Sequence, residues 1–268
     1  MRIQEDVRQS VVFICLPKTS SDGQSGISFV GTAFLVTIPS NAKPGESYLN
    51  LVTAKHVAEK TTHSAFLIRV NTKDGFEYIK GEEIKWFYHP TDKSVDVAVA
   101  PLMLSPETHE YKTIPVSRFL SDEIMLQKKI GLGDEVYVAG LFAHVSGSKK
   151  NQPIVRTGNI AMIPSELIPT ELGNIEAYLI EARSIGGLSG SPAFVRETVP
   201  IGLGESYFLG LMRGHWEISA ELKNDFALNA DFFGRVNMGI AIVIPAKKIM
   251  EVLNHPELVD LRNKLENK

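Results

Sequence analysis

Short apolar stretches rich in β-branched and aromatic residues recur along the whole chain, with Gly, Pro, Asn and Ser turn signals between them. They occupy 11–16, 31–38, 48–53, 65–70, 76–79, 84–88 and 95–102 in the first half. In the second half they occupy 135–142, 154–164, 175–181, 191–195, 207–213 and 238–244. Runs of this length, punctuated in this way, read as strands. They suit an all-β architecture rather than strand–helix alternation. Periodicity alone leaves sandwich and barrel both open.

The segment 105–133 breaks that rhythm with Pro106, Pro115, mixed charges and a helical pattern near 122–129. It reads as the connection between two β units. The expected organisation is a first unit over 1–118, a linker over 119–134, a second unit over 135–245 and a C-terminal helix over 246–268. In that last stretch Ile249, Val252 and Leu253 share one helical face. Pro256 breaks the run, and Leu258, Leu261 and Leu265 make a second short face, as in a helix packed on a barrel surface. The stretches 20–26 and 40–46 are polar turns, and 146–152 is a basic Gly/Ser loop. The polar insertion 216–237 exceeds an ordinary connection, and reads equally as a functional loop or a surface excursion.

Composition narrows the function classes. The chain has 268 residues, 44% hydrophobic, enough for one large domain or two small cores. Its net charge of -3 supplies no electrostatic attraction for nucleic acid or an anionic membrane. Cys15 is the lone cysteine, so no internal disulfide forms, and its setting in VVFICLP predicts a buried structural thiol. The opening MRIQEDVRQS lacks the apolar core of a secretory signal. No apolar run approaches the roughly 18 residues of a membrane span. These features predict a cytoplasmic location.

Three stretches carry chemistry. In Gly187-Leu188-Ser189-Gly190-Ser191-Pro192 a serine sits on a turn that glycines allow to fold tightly. Such a serine can be presented as a nucleophile with backbone N–H groups nearby, although Gly/Ser/Pro clusters also serve as plain turns. In LVTAKHV a strand ends and His56 follows at once. In SVDVAVAPL, Asp96 opens a wholly apolar strand, where a carboxylate is partly desolvated and needs a donor such as an imidazole N–H. Serine needs a base that is neutral near pH 7, and that base needs an acceptor to fix its tautomer. Asp92, in HPTDKS, reads as a turn-former. The remaining histidines show no metal-ligand spacing, so neither a metal nor a cofactor is expected. A nucleophile elbow is excluded because Ser191 stands where glycine is required.

The order His56, Asp96, Ser189 resembles that of the trypsin/chymotrypsin superfamily. GTAFLV, LVTAKHV, DVAVAPL, GLSGSPAF, FLGLMRG and MGIAIVIPAKKI are similar to successive strands and loops of HtrA-type bacterial peptidase domains. The resemblance runs from about residue 29 to 250. It implies two six-stranded antiparallel β-barrels, His56 and Asp96 on the first and Ser189 on the second, with the site between them. It also implies Ser189 as nucleophile, His56 as general base and acid, Asp96 as its orienter, and the N–H groups of Gly187 and Ser189 as the oxyanion hole. By the same resemblance a substrate pocket would be lined by Arg183, Ser184, Met212, Arg213, Gly214, Gly239 and Ile240. Arg183 or Arg213 pointing inward would favour an acidic side chain.

Two departures stand out. Leu188 replaces the aspartate that receives a new N-terminus in zymogen activation, and Ser191 replaces a glycine. The stretch after Pro245 is too short for a PDZ domain. The expected partner is a polypeptide substrate, with an activating partner or ligand as a further possibility. The rival readings are a latent or silent peptide-binding relative and an esterase on the same fold.

Overall fold

The computed structural model describes residues 3–19, 23–62, 65–170, 173–182, 187–197, 204–218 and 236–267, and of 215–218 and 236–238 the backbone only. The first half contributes β1 (Val11–Thr19), β2 (Ser25–Pro39), β3 (Ser47–Thr53), β4 (Leu67–Asn71), β5 (Phe76–Lys80), β6 (Phe87–Tyr88), β7 (Ala98–Pro101) and β8 (Ile114–Pro115). Their spatial order is β5-β4-β1-β2-β3-β7-β6, and β8 joins β2 in parallel. Among the described residues this ladder is an eight-stranded sheet and does not close into the six-stranded ring the resemblance implies. The reason lies in the chain between β5 and β6. There Gly81 packs against Phe66, whose ring stacks on Trp86 at 6.0 Å, and no ladder joins β5 to β6 among the described residues. A Cβ on Gly81 would fall 2.3 Å from the Phe66 ring. The strand expected over 84–88 accordingly shrinks to two residues.

The second half does close. Its strands are β9 (Glu135–Gly140), β10 (Ile154–Met162), β11 (Ile168–Thr170), β12 (Gly173–Ile175), β13 (Tyr178–Glu181), β14 (Ser191–Arg196), β15 (Ser206–Ile218) and β16 (Val236–Pro245). The ring runs β10-β13-β16-β15-β14-β9. The short β11–β12 hairpin stands apart from it. It breaks the run expected over 175–181, which the hairpin and β13 share. β15 and β16 extend into the expected insertion 216–237, and residues 219–235 of it lie outside the described residues.

Unbroken buried runs make the cores: 11–15 on β1, 31–36 on β2 and 191–196 on β14. Phe13, Phe34, Leu35 and Leu51 are fully buried in the first half, and Ile160, Ile180, Leu188 and Leu209 in the second. The halves meet at Phe208 of β15, whose ring lies 5.3 Å from Phe34 of β2 and 4.7 Å from Phe119. The linker is fastened there too, since Leu120 N–H donates to Phe208 O at 2.9 Å. Cys15 is buried as expected, and burial pushes its thiol up to about 12 despite the nearby Arg69.

Five helices complete the described chain: α1 (Glu5–Gln9), α2 (Lys55–Glu59), α3 (Asp122–Lys128), α4 (Ala246–Leu253) and α5 (Pro256–Glu266). Ser121 caps α3 by accepting from Ile124 N–H, and two acids in its first turn favour the same end. The expected single C-terminal helix is two, because Pro256 restarts the chain as the first residue of α5. α4 buries Ile249, Val252 and Leu253. On α5 Leu258 is buried, while Leu261 and Leu265 stay exposed, so the second apolar face is narrower than its leucines suggest. Glu266 instead ties α5 to the turn after β2, accepting from Ser40 Oγ and Asn41 N–H. No described helix is long and apolar enough to cross a membrane.

Candidate active site

The first component is built where β3 ends. Ala54 is still extended, with φ -70° and ψ 141°, and α2 begins at Lys55, with His56 in its first turn. α2 sits directly on β2 because Gly31 lacks a side chain. A Cβ there would lie 2.6 Å from Val57 Cγ1. That close approach sets where the histidine stands.

Asp96 arrives from the segment before β7. Its side chain is 1% exposed, against 32% for His56. Oδ1 accepts from the His56 backbone N–H at 2.9 Å, and Oδ2 lies 2.7 Å from His56 Nδ1. One carboxylate therefore grips both the backbone and the ring of the histidine. Burial pushes the Asp96 carboxyl up. The hydrogen bond and charge of the His56 ring, the His56 N–H and the Arg213 charge outweigh it, and hold the carboxyl below the usual range. An ionised acceptor at Nδ1 assigns a proton to that nitrogen and leaves Nε2 as the other ring nitrogen, outside this contact.

The serine loop is fastened to β2 by backbone and side chain. Thr32 N–H donates to Ser189 O at 3.0 Å, and Thr32 Oγ1 donates to Gly187 O at 2.7 Å. The same hydroxyl accepts from Leu141 N–H at 2.9 Å. Thr53 Oγ1 in turn donates to Thr32 O at 2.7 Å. The loop closes on itself through Ser191 N–H to Leu188 O, and Gly190 N–H reaches Met212 O at 2.8 Å. Gly187 and Gly190 have φ of 99° and 85°, backbone that glycine adopts without penalty. Gly190 also has no room for a side chain, since a Cβ would meet Thr32 O at 2.1 Å.

Leu188 is buried in the second core, so an apolar side chain seats this loop where an acid would need a partner. Ser191 Oγ is buried with no partner among the described residues, against Gly140, which must lack a Cβ to fit it. The N–H groups of Gly187 and Ser189 donate to no described residue. Nor does a hydrogen bond join Ser189 Oγ to His56 among the described residues.

The residues expected to line a substrate pocket separate. Met212 is 1% exposed and packs in the second core, because its side chain falls on the inner face of β15. No described atom lies within 4 Å of where a Cβ would stand on Gly214 or Gly239. Ile240 lines a cavity of about 450 Å³ with Met162, Leu179 and Pro169, beside the β11–β12 hairpin. Arg213 places its Nε 3.4 Å from Asp96 Oδ2. Arg183 and Ser184 lie outside the described residues. A second cavity, of about 480 Å³, adjoins the end of α2 and is lined by Thr61, Phe66, Trp86 and Tyr88 among others.

Sequence reasoning missed Thr32, Thr53 and the pairing of Arg213 with Asp96. A hydroxyl inside an otherwise apolar strand, as in GTAFLV, was the available signal for Thr32. Nothing local marks Arg213.

No family model matches the chain, and no curated protein sequence does. Solved structures do. The MamO protease domain from Magnetospirillum magneticum, in its apo form, superposes with a TM-score of 0.57 at 13% identity over 91% of this chain and 96% of its own. The HtrA-type protease AlgW, solved with a decapeptide, superposes with a TM-score of 0.56 at 16% identity over 96% of this chain and 66% of its own. At such identities the likeness is one of fold: this chain has the fold of HtrA-type protease domains.

Proposed function

We propose that the chain is a trypsin-like serine endopeptidase that cuts peptide bonds through Ser189, His56 and Asp96. The observation that carries the proposal is the double hold of Asp96 on His56. It fixes the imidazole through its backbone and Nδ1, close in the chain to β3, which hydrogen-bonds the strand that anchors the serine loop. In the proposed reaction His56 Nε2 takes the Ser189 Oγ proton as the oxygen attacks the scissile carbonyl. Asp96 stabilises the imidazolium, which then protonates the leaving amine. The Gly187 and Ser189 N–H groups receive the oxyanion. Loss of one such donor typically costs roughly 10²–10³ in turnover. The acyl-enzyme is released by water activated by the same histidine.

One observation favours a second reading, a gated enzyme. Ser189 Oγ makes no hydrogen bond to His56 among the described residues, and this bond commonly tightens only when substrate binds. An activating partner or ligand would then complete the site. A fluorophosphonate reagent separates the cases. Labelling of the wild type and not of Ser189→Ala supports a competent triad. Labelling that appears only with peptide added supports gating. A folded protein that never labels overturns both. Cleavage profiling on a peptide library, with ester substrates alongside, then distinguishes peptidase from esterase.

A further inference from the structure

We infer that Arg213 is a positioning residue of the triad, holding the Asp96 carboxylate from the second half of the chain and placing a permanent positive charge beside the base. Four observations carry this. The Arg213 Nε lies 3.4 Å from Asp96 Oδ2, the oxygen that also faces His56 Nδ1 at 2.7 Å. The carboxylate is 1% exposed and the Arg213 side chain 18%, so solvent screens the pair little. Arg213 also occupies a bulge. β15 pairs Met212 with Val243 and Gly214 with Ile242, leaving no partner on β16 for the residue between. A bulge re-aims a side chain, and here it sends this one to Asp96. Finally, the Arg213 charge is among the causes that hold the Asp96 carboxyl low.

The consequence follows from charge balance. With His56 neutral, Asp96 and Arg213 form a compensated pair. When His56 accepts a proton the cluster gains a net positive charge, with ring and guanidinium sharing one carboxylate oxygen. Through that shared oxygen the Arg213 Nε and His56 Nδ1 are no more than about 6 Å apart, and at an effective dielectric between those of a protein surface and bulk water their repulsion amounts to about one pH unit. Arg213 thus repels the imidazolium and takes part of its stabilisation away from Asp96. Other charges near the cluster are occupied. On α2, Lys55 faces Glu59 at 3.9 Å and donates to Lys93 O. Asp92 accepts from Ser94 N–H and Oγ. The His215 side chain lies outside what is described.

The kinetic half of the inference rests on the peptidase reading, and the spectroscopic half does not. NMR titration of the His56 ring, assigned with His56→Gln, compares wild type with Arg213→Gln, Arg213→Met and Arg213→Lys. Urea unfolding establishes which variants are folded. In either neutral variant the His56 midpoint moves up by about one unit, and Arg213→Lys recovers at least half of that displacement. Equal midpoints in wild type and a folded neutral variant overturn the inference. An upward move of the same size in Arg213→Lys assigns the effect to packing and overturns it as well. Fluorophosphonate labelling against pH supplies the kinetic arm, with the acid limb moving in the same direction. Absence of labelling throughout refutes the peptidase reading while the titration still decides the role of Arg213.

Discussion

Replacing Thr32 by valine isolates what positions the serine loop. The two side chains have nearly the same shape, so packing is conserved and only the hydroxyl is lost. That hydroxyl donates to Gly187 O at 2.7 Å and accepts from Leu141 N–H at 2.9 Å. Thr32 and Leu141 are fully buried, whereas Gly187 is partly exposed. A buried polar group left without its partner costs about 1–3 kcal/mol; with that for the Leu141 N–H and a smaller addition for the Gly187 oxygen, Thr32→Val costs about 2–4 kcal/mol if the loop stays in place. The loop can recover part of that by moving, which displaces the Gly187 N–H. Stability and reactivity are therefore measured together, by urea unfolding and by the rate of fluorophosphonate labelling. The expected result is a loss of at least about 2 kcal/mol with labelling slowed about 10²-fold. Thr32→Ser, which keeps the hydroxyl, stays within about 1 kcal/mol of wild type. A Thr32→Val protein of wild-type stability, labelled at the wild-type rate, refutes the reasoning.

Other outcomes follow from the same geometry. Gly31→Ala drives a methyl group to 2.6 Å from Val57 Cγ1 and costs about 1–3 kcal/mol by overpacking. Adding Val57→Ala recovers most of it, and a double-mutant cycle by chemical unfolding reads the coupling. Asp96 has a folded-state pKa below its unfolded one, so the unfolded chain binds the extra proton. The resulting stability is present above about pH 4 and is lost as pH falls through the folded value. Asp96→Asn therefore flattens the stability–pH slope below about pH 4, whatever its effect at neutral pH; an unchanged slope contradicts the assignment. With its thiol pushed up to about 12, folded Cys15 reacts with iodoacetamide at pH 8 about 10³-fold more slowly than the urea-unfolded chain. Comparable alkylation rates contradict its burial.

Strand positions were widely legible, as at 11–16 and 48–53, because β-branched runs fit a pleated, half-buried surface. Strand lengths were less so. The run 95–102 keeps only Ala98–Pro101 as β7, since the residues before it carry Asp96 to His56. Closure was not legible at all. The ring around β9 and the open ladder of the first half come from similar local patterns, and the packing of Phe66, Gly81 and Trp86 distinguishes them.

By itself, the sequence determined the predominantly β class, the buried thiol and the helix near 122–129, and it singled out the three residues of the proposed triad. Each of these rests on neighbours within a few positions: apolar runs, capping, glycine flanking a serine. Tertiary structure alone decided how the parts face one another. The grip of Asp96 on His56 spans 40 residues, that of Thr32 on Gly187 spans 155, and Arg213 reaches Asp96 from the other half. Such contacts leave no local pattern, because a hydroxyl or a guanidinium acquires its partner only when two strands distant in sequence are brought within hydrogen-bonding distance.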